Sequence, residues 1–343
     1  MRVLQLPGKA HATNPYNTLL CESIEAAGAL VSEYSIGGTG DIVHVHWPEY
    51  PLSRRSELHA RLALLKMFVG LRWAKMRGAK IVWTAHNLRP HERFYPNLER
   101  HFYKAWNGLI DGVVCLSEAS RSALLDRYPE LKSKPIFVIR HGDYRPRISG
   151  QQTKEAAREK LRIPQESRVI GSLGAIRSYK NIPMLVRAFS AVSEPSDLLL
   201  IAGKPNTEEL KHEILSEAEG LANVRIDFKF LSDEEMELYG AACDGFVFPY
   251  KDILNSGSAL YALSLGKRVI APQLGSLPEL KSDVGEDFVH LYEGDFGPEA
   301  LRNGLAWLQK PVATEPDLRR YDWSEIGRLH VEAYQTLTAA KSS

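Results

Sequence analysis

Phe246-Val-Phe-Pro-Tyr250, Asn255-Ser-Gly-Ser258 and Ala259-Leu-Tyr-Ala-Leu-Ser-Leu265, stopped by Gly266, follow one another within Phe246–Leu280, and their order decides the fold. The first piece is short, apolar and aromatic, as a strand buried in a parallel sheet is. The third is a small-residue helix with a glycine exit. A helix that begins at Ser-Gly-Ser points unpaired N–H groups and the positive end of its dipole at whatever lies before it, with hydroxyls alongside. Such a turn receives an anion. Ser256 or Ser258 acting only as an N-cap, with Gly257 as a turn residue, accounts for the same letters. The rest of the chain has to choose.

Working outward, 343 residues are long for one core and comfortable for two domains. A hydrophobic content of 44% with 25% charged residues is that of an ordered globular protein. Cys21, Cys115 and Cys243 lie far apart in apolar surroundings, as buried thiols of a reducing cytoplasm do. The N-terminus is too short and too soon interrupted for a signal peptide, and no apolar run is long enough to cross a bilayer. The net charge of +1 hides an asymmetry, with +10 on residues 1–165 and −9 on residues 166–343. A basic half beside an acidic one points to two binding tasks. Nucleic acid is not expected as a partner, because the basic half carries no reading motif.

Upstream, strands are expected at residues 2–6, 41–46, 80–84, 112–116 and 135–139, each ending in a polar cluster. These ends hold His11, Asn14 and Tyr16 after the first strand, Trp47 and Glu49 after the second, His86, Asn87 and Glu92 after the third. In parallel α/β sheets, loops at the carboxyl ends of strands hold ligands. Ser53–Lys80 reads as a long basic helix whose apolar stripe comprises Leu62, Leu64, Leu65, Met67, Phe68, Val69 and Leu71. It either rests on anionic lipid or packs on the sheet. Phe94, Tyr95, Phe102, Tyr103 and Trp106, interleaved with Arg93, Arg100 and Lys104, add to the case for membrane contact. Residues 151–164 are polar and helical and read as the passage between domains.

The second half repeats the alternation, with strands at 168–173, 197–202 and near 224–228 and helices between them. In Gly174-Ala-Ile-Arg-Ser-Tyr-Lys-Asn181, Arg177 and Lys180 stand together between a strand and a helix, where a guanidinium and an ammonium meet diphosphate oxygens. With the Ser256–Ser258 turn, this half has two anion devices at carboxyl ends of strands.

These residues, with Leu200-Ile-Ala-Gly-Lys204, Val45-His-Trp-Pro-Glu49, Thr84-Ala-His-Asn87 and Val138-Ile-Arg-His-Gly142, resemble in order and spacing the motifs of the GT-B glycosyltransferases, nearest to the family 4 group. The resemblance implies an α/β protein of two Rossmann-like domains facing across a cleft. An acceptor-binding domain would span 1–160 and a nucleotide-sugar-binding domain 161–320, with a C-terminal helix at 321–343 able to cross back to the first. Arg177, Lys180, Ser256, Gly257 and Ser258 would hold the donor diphosphate, and Gly203 and Lys204 would border the nucleotide. The family's paired glutamates fall here on Ile253 and Tyr261; Glu279 either substitutes or caps a helix. Glu49, His86 and Glu92 are the catalytic candidates, and His11, Asn14, Tyr16, Trp47 and Asn87 the acceptor-side ones. No metal or cofactor is implied, the substrate being a GDP- or UDP-linked sugar.

The activity expected is transfer of a hexose or hexuronic acid to a glycan acceptor such as a lipid-linked oligosaccharide in cell-surface (exo)polysaccharide synthesis. The place expected is the cytoplasm, peripherally on the inner face of the plasma membrane. A non-catalytic sugar-nucleotide-binding partner of another transferase, and an epimerase of the same fold, are the alternatives.

Overall fold

The computed structural model describes residues 1–9, 15–90 and 94–339. It divides into two compact units, Met1–Gly142 with Arg320–Ser343 and Asp143–Arg319.

The first unit is built from β1 (Arg2–Leu6), α1 (Pro15–Ala26), β2 (Leu30–Glu33), β3 (Ile42–Val45), α2 (Glu57–Met76), β4 (Lys80–Thr84), α3 (Pro96–Leu109), β5 (Gly112–Cys115), α4 (Glu118–Arg127) and β6 (Ile136–Val138). Its six strands are all parallel in the order β2-β1-β3-β4-β5-β6. Successive strand residues point to opposite faces, so each inner strand feeds two cores. Val43, Val45, Ile81 and Trp83 pack with Leu64, Leu71 and Trp106 on one face, while Ile42 and Val82 pack with Tyr16, Ile24 and Tyr334 on the other.

The second unit comprises α5 (Lys154–Leu161), β7 (Arg168–Leu173), α6 (Ile182–Val192), β8 (Asp197–Ala202), α7 (Glu208–Ala218), β9 (Val224–Asp227), α8 (Asp233–Ala242), β10 (Gly245–Val247), α9 (Gly257–Ser264), β11 (Arg268–Pro272), α10 (Leu277–Val284), β12 (Val289–Tyr292) and α11 (Pro298–Leu308). Its parallel order is β12-β11-β10-β7-β8-β9. Both units are therefore doubly wound sheets, each with its ligand-holding edge at the carboxyl ends of the strands.

The last helix, α12 (Trp323–Ala339), belongs to the first unit and packs along α1. The segment 151–164 is not a passage between units but part of the second one. Arg158 of α5, fully buried, donates to the Ala242 carbonyl (3.1 Å), the Gln165 carbonyl and Asp244 (2.8 Å). A guanidinium is buried only where its donors are spent, and here they tie α5 to the end of α8.

Helix α2 departs from the single stripe expected of it. Leu64 and Leu71 are buried, but Leu62, Leu65 and Val69 are exposed and line up with Leu58, Trp73 and Met76 along the outer face. Phe102, Tyr103 and Trp106 are core residues, so their aromatic surface is spent on packing; Phe94 remains exposed.

Candidate active site

The Ile42-Val-His-Val-His46 alternation sets His44 and His46 on one face of β3, over α1 and α12. His46 Nε2 donates to Gln5 Oε1 at 2.8 Å, because an amide oxygen only accepts. In a neutral imidazole the other nitrogen then accepts, so the 3.2 Å contact from His46 Nδ1 to His86 Nε2 is a donation by His86. That leaves the lone pair of His86 on Nδ1. His44 is held between Thr84 Oγ1 and the Tyr334 hydroxyl, each at 2.7 Å. The Tyr16 ring meets His86 edge-on at 4.8 Å and His141 at 4.6 Å, and Trp47 stacks on His86 with centroids 4.4 Å apart and planes 19° apart.

Burial keeps this array neutral. His44, His46 and His86 are held well below the usual imidazole range, first by desolvation and then by one another, and His141 and His330 are pushed down to about 4. Glu49 behaves oppositely: burial raises its carboxyl to about 7 against its own backbone N–H and the Asn87 side chain. Its Oε2 has no partner among the described residues. Among those residues, no three His, Cys, Asp or Glu side chains are placed to share a metal ion.

In the second unit the strand ends of β7, β8 and β10 meet. The loops after β7 and β8 are laced by Ile176 N–H to Lys204 O (3.0 Å) and Asn206 N–H to Ile176 O (3.1 Å). Gly203 is required by this closeness, since a Cβ there would sit 1.9 Å from the Gly174 carbonyl oxygen. Lys180 is buried, its ammonium pushed down to about 8 by desolvation and by Arg177, and its Nζ donates to Ser258 Oγ at 3.3 Å. Ser256 caps α9, accepting from the Ala259 N–H at 3.1 Å, with the Tyr250 hydroxyl at 3.1 Å from its Oγ. Ser256 thus serves the helix, while Ser258 turns to the lysine. A cavity of about 720 Å³ opens beside Tyr250, lined also by Asn181, Lys251, Gln273 and Glu293.

Apart from Glu279, the residues expected from sequence fall into three groups. Lys180, Ser256, Gly257 and Ser258 are brought together at the start of α9; Arg177 precedes the turn Ser178–Lys180 and is exposed, and Lys204 is exposed beside the buried Gly203. Trp47, His86 and Tyr16 share ring contacts, and Glu49 and Asn87 share a hydrogen bond. His11, Asn14 and Glu92 lie outside the described residues. Glu279 sits in the first turn of α10. At the two positions where carboxylates were missing, Ile253 presses its carbonyl against Gly275, where a Cβ would come within 2.2 Å, and Tyr261 packs edge-on against Tyr144 at 5.5 Å. Gln5, His44, His46, His141 and Tyr334 were not singled out, although the His-x-His spacing of β3 signals a shared face.

Two parallel, doubly wound sheets are the architecture of the GT-B glycosyltransferases. Residues 153–289 match the model of the Glycosyl transferases group 1 and residues 40–142 that of Glycosyltransferase Family 4. The chain belongs to these glycosyltransferases. A GDP-mannose:glycolipid 4-beta-D-mannosyltransferase of Xanthomonas campestris pv. campestris is 29% identical over 342 residues, covering 94% of this chain and 88% of its own. Among solved structures, a sucrose-phosphate synthase from Thermosynechococcus elongatus superposes with a TM-score of 0.72 at 16% identity over 99% of this chain and all of the other. WaaG, a glycosyltransferase involved in lipopolysaccharide biosynthesis, does so with 0.64 at 14% identity over 99% and 98%. The enzyme is accordingly a hexosyltransferase. Among the described residues, no helix is long and apolar enough to cross a membrane.

Proposed function

We propose that the enzyme moves a hexose or hexuronic acid from a GDP- or UDP-linked sugar to a lipid-linked glycan during cell-surface polysaccharide synthesis. The observation that carries this is the buried Lys180 bonded to Ser258 at the start of α9, an ammonium kept dry beside a helix N-terminus. The second unit takes the donor: Lys180, Arg177 and the N–H groups of Gly257 and Ser258 meet the diphosphate, and Gly203, Lys204 and Glu279 border the nucleotide and sugar. These groups supply the positive charge that the leaving diphosphate needs. The first unit takes the acceptor against Trp47, Tyr16 and Asn87.

GDP-mannose is the donor to test first, because the relative that spans most of the chain is named for it. A β-linkage formed from an α-linked donor is an inversion, and a single displacement needs a base. The acceptor oxygen bonds to C1 as the bond from C1 to the diphosphate oxygen breaks. The hydroxyl proton passes to His86 Nδ1, and the electron pair leaves with the diphosphate. A neutral imidazole whose lone pair lies on Nδ1 is in the state a base requires. Glu49, with its unmet oxygen, holds Asn87 in place.

The exposed stripe of α2, with Arg61, Lys66, Arg72 and Arg77 on its flanks, supports peripheral binding to the anionic inner face of the plasma membrane. The test is a screen of nucleotide sugars for thermal stabilisation, followed by a transfer assay on a lipid-linked acceptor. Stabilisation by GDP-mannose or a UDP-sugar with transfer is expected. Binding without release of nucleotide would instead make the chain a partner of another transferase, and interconversion of donors without acceptor would make it an epimerase.

A further inference from the structure

One cavity of the first unit is used by none of the chemistry above. It measures about 820 Å³, within the range of pockets that enclose a small ligand. Three properties constrain what fits it. Its walls are mostly hydrocarbon, with Leu6, Ile36, Val45, Ala63 and Met67 facing Trp47, so a bare sugar would leave its hydroxyls unmet. Its lining includes the Asn17 side chain, 1% exposed, whose Oδ1 and Nδ2 both lack a partner among the described residues; the Tyr34 hydroxyl, also in the lining, is buried and unpartnered too. A bare hydrocarbon would leave those atoms unmet. At its rim are two exposed cations, Arg54 and Lys66, neither of which forms an ion pair among the described residues.

We infer that this cavity binds an anionic amphiphile, a phosphate ester of an alkyl or isoprenyl chain, and that it is where the enzyme grips the lipid end of its acceptor. The inference rests on the lipid-linked acceptor proposed above. The chain lies along the apolar wall, an oxygen of the ester region meets Asn17 and Tyr34, and the phosphate charge sits between Arg54 and Lys66. Ala63, Lys66 and Met67 are on α2, the helix that also carries the exposed stripe, so an amphiphile lying in a bilayer surface reaches the cavity without crossing water. Trp47 joins the two sites: it walls the cavity and stacks on His86.

The experiment is calorimetric titration of the full chain with geranyl phosphate, with geraniol and inorganic phosphate as controls. Geranyl phosphate is expected to bind at least tenfold tighter than either control. Lys66→Glu with Arg54→Glu should weaken it tenfold or more, and Ala63→Trp should abolish it by filling the cavity. GDP binding, a property of the second unit, reports in each variant that the chain is folded and tests the donor site separately. Asn17→Leu adds a readout that a structural asparagine would not give: weaker amphiphile binding together with an unchanged or higher melting temperature. Absence of geranyl phosphate binding to the wild type, or binding that neither the charge reversals nor Ala63→Trp alters, overturns the inference even if GDP-mannose is bound. Amphiphile binding without any nucleotide-sugar binding overturns the donor reading and leaves the cavity assignment standing.

Discussion

The two units solve the same architectural problem with opposite electrostatics. In the first, the carboxyl ends of β3 and β4 carry imidazoles that burial keeps uncharged and a carboxyl held near neutrality. In the second, the ends of β7, β8 and β10 carry a buried cation and a helix start. A carboxyl near its titration point can exchange a proton and a neutral imidazole can accept one, whereas fixed positive charge suits holding a diphosphate. The strand orders differ as well, β2-β1-β3-β4-β5-β6 against β12-β11-β10-β7-β8-β9, so the units share a parallel, doubly wound build and not one topology.

The sharpest way to break that electrostatic contrast is to remove the proton acceptor. His86→Ala should lower kcat by roughly 10²–10⁴-fold while leaving the dissociation constant for GDP unchanged; a loss of GDP affinity would show that the units are not separate in function. Lys180→Met should do the converse, lowering kcat/KM by about 10²–10³-fold with weaker nucleotide binding by titration. Gly203→Ala should destabilise the second unit by about 2–4 kcal/mol in denaturant unfolding, because the new methyl has only the Gly174 carbonyl to meet.

Titration distinguishes the units more gently. The imidazoles of His44, His46, His86, His141 and His330 have folded pKa values depressed below the unfolded value of about 6.5. Their contribution is intact above that pH and is lost as pH falls below it, since the unfolded chain takes up protons that the folded one refuses. Each costs up to about 1.4 kcal/mol per pH unit. The melting temperature should therefore drop between pH 6.5 and 4, and His44→Phe should blunt the drop. Lys180 loses its charge as pH rises through about 8, so donor affinity should fall above that value. The smallest effect expected is at the lipid face: Leu65→Asp with Trp73→Asp should reduce sedimentation with anionic liposomes about tenfold and leave transfer to a soluble acceptor unchanged.

The alternation of strands and helices was legible because inner strands are apolar runs bounded by turns. The two strands passed over, β2 and β12, are the outermost of their sheets. Leu30-Val-Ser-Glu33 is mostly exposed, so no hydrophobic pattern marks it. Lys180 and the start of α9 were legible because each lies in one continuous stretch of sequence. The imidazole array was not, because Gln5, His44, His86, His141 and Tyr334 come from five places and only the fold brings them into contact. For α2 the composition was right and the face wrong: at 100° per residue, Leu62, Leu65 and Val69 lie opposite Leu64 and Leu71, not beside them.

The placement of α12 has a consequence for how the protein is made. Tyr334 closes over His44, and Trp323 occupies the space that Gly142 leaves open, yet both are translated after the whole of Asp143–Arg319. A nascent chain leaves the ribosome from its N-terminus, so the second unit is complete and free to fold while the first still lacks its closing helix. Until that last segment emerges, the cluster of histidines is covered by α1 alone. The half of the enzyme that is synthesised first is the half that finishes last.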